Sequence, residues 1–387
     1  MEHRKKDYYH LEDKKRKNEC VKKPMEKNNK IILTVLITII ITLSLSGCLD
    51  FLTTTDNIIR YQEYPTKISY TIKYGYKINI TGKGKYNINY NCDKPEVIIG
   101  NCSNRLLYPY DFNNTTKAHN EFITWNITGN SYNSYELGII TNVETETLLI
   151  SDLNGENTLT IDEIKKQYPN LIKQYCHKQS NETKTFINPD NPEIKNKALE
   201  IYQKSNTNNS FIIAKELFTW LKQHTSYKTH TNNNIIQDAY ETFKKGTGDC
   251  DDLSYLYISL CRSLNIPARF IKGFLIDEKN ATSHAWVEVF VGGNIGDNGW
   301  IPVECAGTSN NIENEIYQNF GVETADHLRL FKDDGSNESI VVSISGISYK
   351  ADKKIHITIQ PIANVTNYQI LQSKELTINK NDNSRSL

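Results

Sequence analysis

The chain has 387 residues, with 45 Lys and Arg against 45 Asp and Glu, so its formal net charge is zero. That balance leaves no electrostatic footprint for a nucleic-acid partner. The length allows two or three domains at about 100–200 residues each.

Residues 1–30 are dense in Lys, Arg and Glu and cannot form a core, so they read as a disordered basic N-terminus. Ile31 to Ser46 is an uncharged run of Ile, Leu, Val and Thr. It is short against the roughly 20 apolar residues of a membrane span and suits the apolar region of a signal peptide. Leu45-Ser46-Gly47-Cys48 follows, and resembles the lipobox of lipoprotein signal peptides. A start at Met25 would place an ordinary Met-Glu-Lys-Asn-Asn-Lys head before the apolar run. Residues 31–49 are therefore expected to be either a signal peptide with a lipid-bearing Cys48 or an uncleaved anchor with a basic cytoplasmic tail. Both place everything after Cys48 outside the membrane.

Residues 50–180 read as a β-rich domain with a helix at its end. Ile68, Tyr70, Ile72, Tyr74, Ile78 and Ile80 alternate, Gly82-Lys83-Gly84-Lys85 turns, and Tyr86, Ile88 and Tyr90 resume, which predicts a hairpin or meander. Cys92 and Cys102 lie close in sequence in an oxidising compartment; a disulfide fits, but spacing alone does not fix it. Thr160-Ile161-Asp162-Glu163 is a capping box opening a helix toward Tyr175, with Pro169 expected to kink or split it. Helices follow over Glu193–Gln203, over Phe211–His224 with an apolar stripe of Ala214, Leu217, Phe218 and Leu221, and after Asp238.

Residues 188–335 hold the chemistry. Gly246 and Gly248 permit a sharp turn before Cys250. Leu253, Leu256, Leu260 and Leu264 then recur at helical spacing, with Asn265 and Pro267 as the exit. Cys250 thus opens a helix, where unpaired N–H groups and the helix dipole favour a thiolate. His284 opens an alternating strand, His284-Ala285-Trp286-Val287-Glu288-Val289-Phe290-Val291. After a Gly-rich turn, Trp300-Ile301-Pro302-Val303-Glu304 returns as a strand. Antiparallel pairing would bring Glu304 to the imidazole nitrogen that points away from the sulfur. Cys250 is then the nucleophile, His284 the base and Glu304 the orienting acid, with Glu288 next in line for the third role. Cys261 lies eleven positions from Cys250, which is roughly 16 Å along a helix, so it reads as a packing residue. Phe331 to Ser336 reads as a solvated turn at the domain boundary. Residues 336–387 read as a C-terminal β segment, with strands around Ile340–Ile344 and Ile355–Ile359 and a frayed tail from about Lys374.

The order Cys, His, acid, with a helix followed by strands, resembles the transglutaminase-like superfamily of papain-like thiol enzymes, in an exported prokaryotic form. The pieces that carry the resemblance are Gly248-Asp249-Cys250, Leu264-Asn265-Ile266-Pro267-Ala268-Arg269, Gly273, His284-Ala285-Trp286-Val287-Glu288-Val289 and Trp300-Ile301-Pro302-Val303-Glu304. One departure is Glu304-Cys305 where the family usually has Asp followed by Pro. The resemblance implies an α+β fold, a papain-like core of helices then antiparallel sheet, here preceded by the small β-rich domain and followed by the short β segment. It implies amide-bond chemistry through a Cys250 thioester, ending in hydrolysis or in acyl transfer to an amine, on a peptide or protein substrate of the cell envelope. The membrane-lipid partner would be met through Cys48 or residues 31–49; no nucleic acid, metal or cofactor is expected. A catalytically silent surface-binding module is the alternative. A metal site from Cys250, His284, Cys305 and Cys261 is disfavoured, because no Cys-x₂-Cys pair exists. The topological expectation is testable: protease added to intact cells should digest the 188–335 domain, whereas full protection would contradict export.

Overall fold

The computed structural model describes residues 58–117, 120–177, 185–230, 236–336, 340 and 346–387. The basic N-terminus, the apolar run and the lipobox lie outside the described residues. No helix among the described residues is long and apolar enough to cross a membrane.

The first half is β structure: β1 (Ile58–Gly82), β2 (Tyr86–Asp93), β3 (Gly100–Leu106), β4 (Phe112–Lys117), β5 (Asn120–Gly129), β6 (Asn133–Glu146) and the short β7 (Leu148–Leu149). Helices α1 (Ile161–Gln167), α2 (Pro169–Tyr175), α3 (Pro192–Ser205) and α4 (Ser210–His224) follow. Then come β8 (Ser226–Tyr227), α5 (Ala239–Lys245), β9 (Thr247–Gly248) and α6 (Cys250–Ser263). The remainder is β10 (Ala268–Ile276), β11 (Ala281–Phe290), β12 (Trp300–Val303), α7 (Ile312–Asn319), β13 (Val322–Glu323), β14 (His327–Lys332), β15 (Ile347–Ala351), β16 (Ile355–Asn379) and β17 (Ser384–Ser386). The α+β expectation holds, with helices first and an antiparallel sheet ordered β12-β11-β10-β14 after them.

The β-rich part departs from the predicted hairpin. β1 pairs with β6 and β16, while β2 pairs with β5 and β15, so the turn at Gly82–Lys85 carries the chain from one sheet to another. The orders are β17-β16-β1-β6-β3 and β15-β2-β5-β4. Ile72, Ile78 and Ile80 of β1 share a core with Ile88 of β2 and Trp125 of β5. Each strand alternates, so each must bury one face, and facing sheets satisfy both. Cys92 and Cys102 sit on β2 and β3, in different sheets, and both are free thiols, so the anticipated disulfide does not form.

The C-terminal segment does not stand apart. β16 runs along β1 from Asn379 opposite Ile58 to Ile355 opposite Gly82. The expected fraying from Lys374 is corrected: Leu376 and Ile378 are buried, and so is Arg385. Only two alternating apolar residues mark that strand, too few to stand out in a polar tail. Of the strand expected at Ile340–Ile344, all but the buried Ile340 lies outside the described residues.

Around the helices the local chemistry acts as read. Thr160 and Glu163 cap α1 reciprocally, and Pro169 begins α2, which splits the helix at Tyr168. α6 is buried from Asp252 to Arg262, wrapped by helices on one side and β10 and β11 on the other. Its hydrophobic Leu253, Leu256 and Leu260 face a continuous core with Phe211, Phe218 and Val287. The turn at Phe331–Ser336 is not wholly solvated: Asp333 is buried and pairs with Arg262 at 3.0 Å.

Arg385 clasps the helical part to the sandwich. Its guanidinium donates to the carbonyls of Ile150 at 2.8 Å, Gly321 at 3.1 Å and Phe320 at 2.5 Å, and also to Tyr317. Arg385→Ala would remove a donor from each of these carbonyls, of which, among the described residues, only Gly321 keeps another, from the Ile150 N–H, and is expected to cost about 2–4 kcal/mol in urea unfolding; a change within experimental error would contradict this role.

Candidate active site

Cys250 is the first residue of α6, and the loop before it is braced by carboxylates. Asp249 is the N-cap and accepts from the Asp252 N–H, while Asp252 accepts from the Asp249 N–H in return. Asp252 is fully buried and also accepts from the Gln237 N–H at 2.9 Å and faces His230 Nε2 at 2.7 Å. The Asp-x-x-Asp box follows a local capping pattern that the sequence analysis did not pick out; the reach of His230 and Gln237 to it carries no local signal.

Cys250 is half-buried, and its thiol lies 3.8 Å from Asp251 Oδ1. Helix α6 packs against β11, the strand that carries His284. Glu304 follows β12, whose Val303 pairs with Val287 of β11. Its Oε2 lies 2.6 Å from His284 Nε2, and its Oε1 accepts from the Ala306 N–H at 2.6 Å. Nε2 thus donates to the carboxylate, and Nδ1 is the ring nitrogen turned away from Glu304. Burial pushes the Glu304 carboxyl up, but the hydrogen bonds from His284 and His327 outweigh it and hold it down at about 2.

Burial, then Asp251 and Asp249, push Cys250 well above the ordinary thiol range; the Ala285 N–H opposes them only in part. This corrects the expectation that the helix start alone would lower it: acids at Asp249, Asp251 and Asp252 surround the first turn and offset the dipole.

Glu288 is excluded from the third role. It lies four residues along β11 from His284, roughly 13 Å at strand rise, and Arg269 and Arg329 hold its carboxylate at 2.6 and 2.7 Å. Cys261 and Cys305 are fully buried. His284, Glu304 and His327 form one group of side chains that could hold a metal ion, and His230, Asp249 and Asp252 another, each with ligand atoms within 4.8 Å. The four-residue set with Cys250, Cys261 and Cys305 does not assemble among the described residues. In both groups the carboxylates already accept hydrogen bonds, which accounts for the clustering.

Two neighbours escaped the sequence reading. His327 lies 3.4 Å from Glu304 Oε2; no spacing rule ties it to a strand pair formed two strands away. Tyr227, on β8, is held beside Thr247 and Gly248 of β9 and lines a cleft of about 470 Å³ with Leu253, Gly307 and Thr308.

Residues 196–305 match the transglutaminase-like superfamily. This stretch belongs to that superfamily. The protein is of the cysteine hydrolase or transferase kind. The chain is also similar to a candidate cysteine protease from Cytophaga hutchinsonii, at 15% identity and a TM-score of 0.47, over 80% of this chain and 100% of that one. The periplasmic domain of TgpA from Pseudomonas aeruginosa is 12% identical, with a TM-score of 0.30 over 63% of this chain and 92% of that one. Likenesses this weak carry no argument about activity. No curated protein matches the chain.

The geometry grades the expected losses. Cys250→Ala should abolish turnover, and His284→Ala should cost about 10²–10⁴-fold in kcat. Glu304→Gln keeps the shape but loses the charge that steadies imidazolium, so its loss should be smaller. Cys261→Ala should leave kcat unchanged. A silent Glu304→Gln would move the third role elsewhere.

Proposed function

We propose that this protein is a membrane-anchored, extracytoplasmic thiol enzyme that acts on amide bonds of peptide or protein substrates in the cell envelope. The observation that carries the reading is the 2.6 Å contact of His284 and Glu304 on the sheet against which the Cys250 helix packs. Anchoring would come through Cys48 or residues 31–49.

In the proposed reaction, Cys250 attacks the carbonyl carbon as its proton passes to His284 Nδ1. Glu304 holds Nε2 and stabilises the imidazolium charge as it forms. The Cys250 N–H belongs to the first turn of a helix, which has no intrahelical acceptor for it, and so is placed to steady the oxyanion. His284 then gives its proton to the leaving amine, and a thioester remains on Cys250. Water releases an acid; an amine releases a new amide. The cleft beside Tyr227 and Leu253, lined by Thr225, Ser226, Thr308 and Asn310, is the proposed entry for the substrate. Its one charged group, Lys222, is paired with Glu315 at 3.0 Å, and the remaining hydroxyls and amides suit an uncharged polar side chain.

Incubation with a peptide library and biotinylated cadaverine, read by mass spectrometry, separates the outcomes. Cleaved or deamidated peptides, or biotin-tagged ones, should appear with wild type and be absent with Cys250→Ala. A wild type that gives none of them but binds envelope peptides would support a silent binding module instead.

A further inference from the structure

The Glu304 carboxylate carries a second histidine. His327 opens β14, on the far side of β10 from the His284 strand, and is buried. We propose that His327 is a positioning residue of the reaction: a buried imidazolium that pins the Glu304 carboxylate against His284 and supplies the fixation that a glutamate at this position requires. The inference rests on the thiol-enzyme reading and adds a residue to it.

Hydrogen bonding sets the charge of His327. Its Nε2 faces Glu304 Oε2 at 3.4 Å, and its Nδ1 faces Asp326 Oδ1 at 3.2 Å and the Thr324 carbonyl at 3.3 Å. The nearest partner of Nδ1 is the Thr324 hydroxyl at 2.8 Å, whose own proton goes to Asp326, so each nitrogen faces an acceptor and the arrangement favours a ring protonated on both nitrogens. Burial pulls it toward the neutral form, but Asp326 and Glu304 outweigh that and hold its pKa up at about 10. The charged and titratable groups around it are His284, Glu304 and Asp326. Beyond them lie Glu323 and Arg329, with Tyr64 and Tyr368 facing Asp326.

Geometry explains how it reaches across the sheet. Leu275 of β10 pairs with His327, and Gly273 of β10 pairs with His284. A Cβ on Gly273 would lie 1.9 Å from the Leu328 carbonyl oxygen and 3.0 Å from the Trp286 ring. The missing side chain lets Trp286 lie over this spot, with its ring edge-on to His327 at 4.8 Å and nearly parallel to His284 at 6.0 Å. Trp286 is locked in turn by Glu323 at 2.8 Å, and Glu323 by Arg329. His327 therefore stands on a fixed wall, and its Nε2 is aimed at the carboxylate.

Glu304 needs such a partner. Its side chain has one more rotatable bond than an aspartate, so a single bond to His284 would leave the carboxylate free to swing. Here Ala306 fixes Oε1, and His284 and His327 share Oε2.

The test compares iodoacetamide alkylation of Cys250 across pH in wild type, His327→Phe and His327→Gln, with thermal melts to confirm folding. His327→Phe, which removes donor and charge, should move the alkylation midpoint up by about one pH unit, or about tenfold in rate below it. His327→Gln, which keeps a donor toward Glu304, should stay closer to wild type. Adding His327→Phe to Glu304→Gln should do little more than Glu304→Gln alone, because His327 acts through Glu304. A folded His327→Phe with the wild-type midpoint, or fully additive effects, would overturn the proposal. Should His327→Phe fail to fold, imidazole ¹⁵N spectra of wild type near neutral pH decide: His327 must be protonated on both nitrogens, and a neutral ring refutes it. A wild-type Cys250 that resists alkylation throughout would instead sink the thiol-enzyme reading, and this inference with it.

Discussion

Everything in the site depends on one buried carboxylate. Glu304 fixes which nitrogen of His284 faces the sulfur, and the sulfur needs that nitrogen because its own surroundings oppose ionisation. Asp249 and Asp252 hold the helix start in place, while burial, Asp251, Asp249 and Glu304 raise the cost of a negative charge on Cys250. Structural bracing and a charged sulfur thus pull against each other, and in the proposed reaction the His284–Glu304 pair resolves the conflict by taking the proton. The same pair links the site to stability. A carboxyl held at about 2 against an ordinary 4.5 stabilises the fold above pH 4.5, and that contribution is lost as pH falls toward 2. His327, raised from 6.5 to about 10, acts with the opposite sign: its contribution is full below pH 6.5 and lost as pH rises through 10.

The sandwich and the thiol core are joined by the chain's two ends. β1 and β16 run side by side for most of their length, and the last residues reach back to the helical part through Arg385. The inner core of the sandwich continues into Leu328 and Ala325, next to the strand that carries His327. Its packing therefore bears on where β14 sits, and through His327 on the Glu304 carboxylate.

Local signals in the sequence were read well where the physics is local. The cap at Thr160, the split at Pro169, the helix from Cys250 and the strand from His284 each follow from residues within a few positions of one another. Pairing partners were not legible. The alternation in β1 and β2 demanded buried faces but did not say whether the two strands lie side by side or face to face, and the adjacent-strand reading was wrong. Leu376, Ile378 and Arg385 sit in a polar tail whose value comes from partners distant in sequence, for Arg385 from Gly321, 64 residues away, to Ile150, 235 away. Within the candidate site, Cys250, His284 and Glu304 were proposed from order and element type, and the structure brings His284 and Glu304 into contact. His327 was not, since it meets Glu304 only through the sheet order β12-β11-β10-β14.

The central claim is that Cys250 accepts an acyl group with His284 as its base. p-Nitrophenyl acetate, an activated ester that asks nothing of substrate specificity, tests it directly by intact and peptide mass spectrometry after an acid quench. The account expects one acetyl group per chain, on Cys250, formed far faster in wild type than in His284→Ala and far ahead of the buried Cys261 and Cys305. An unmodified Cys250, or equal rates with and without His284, would contradict it.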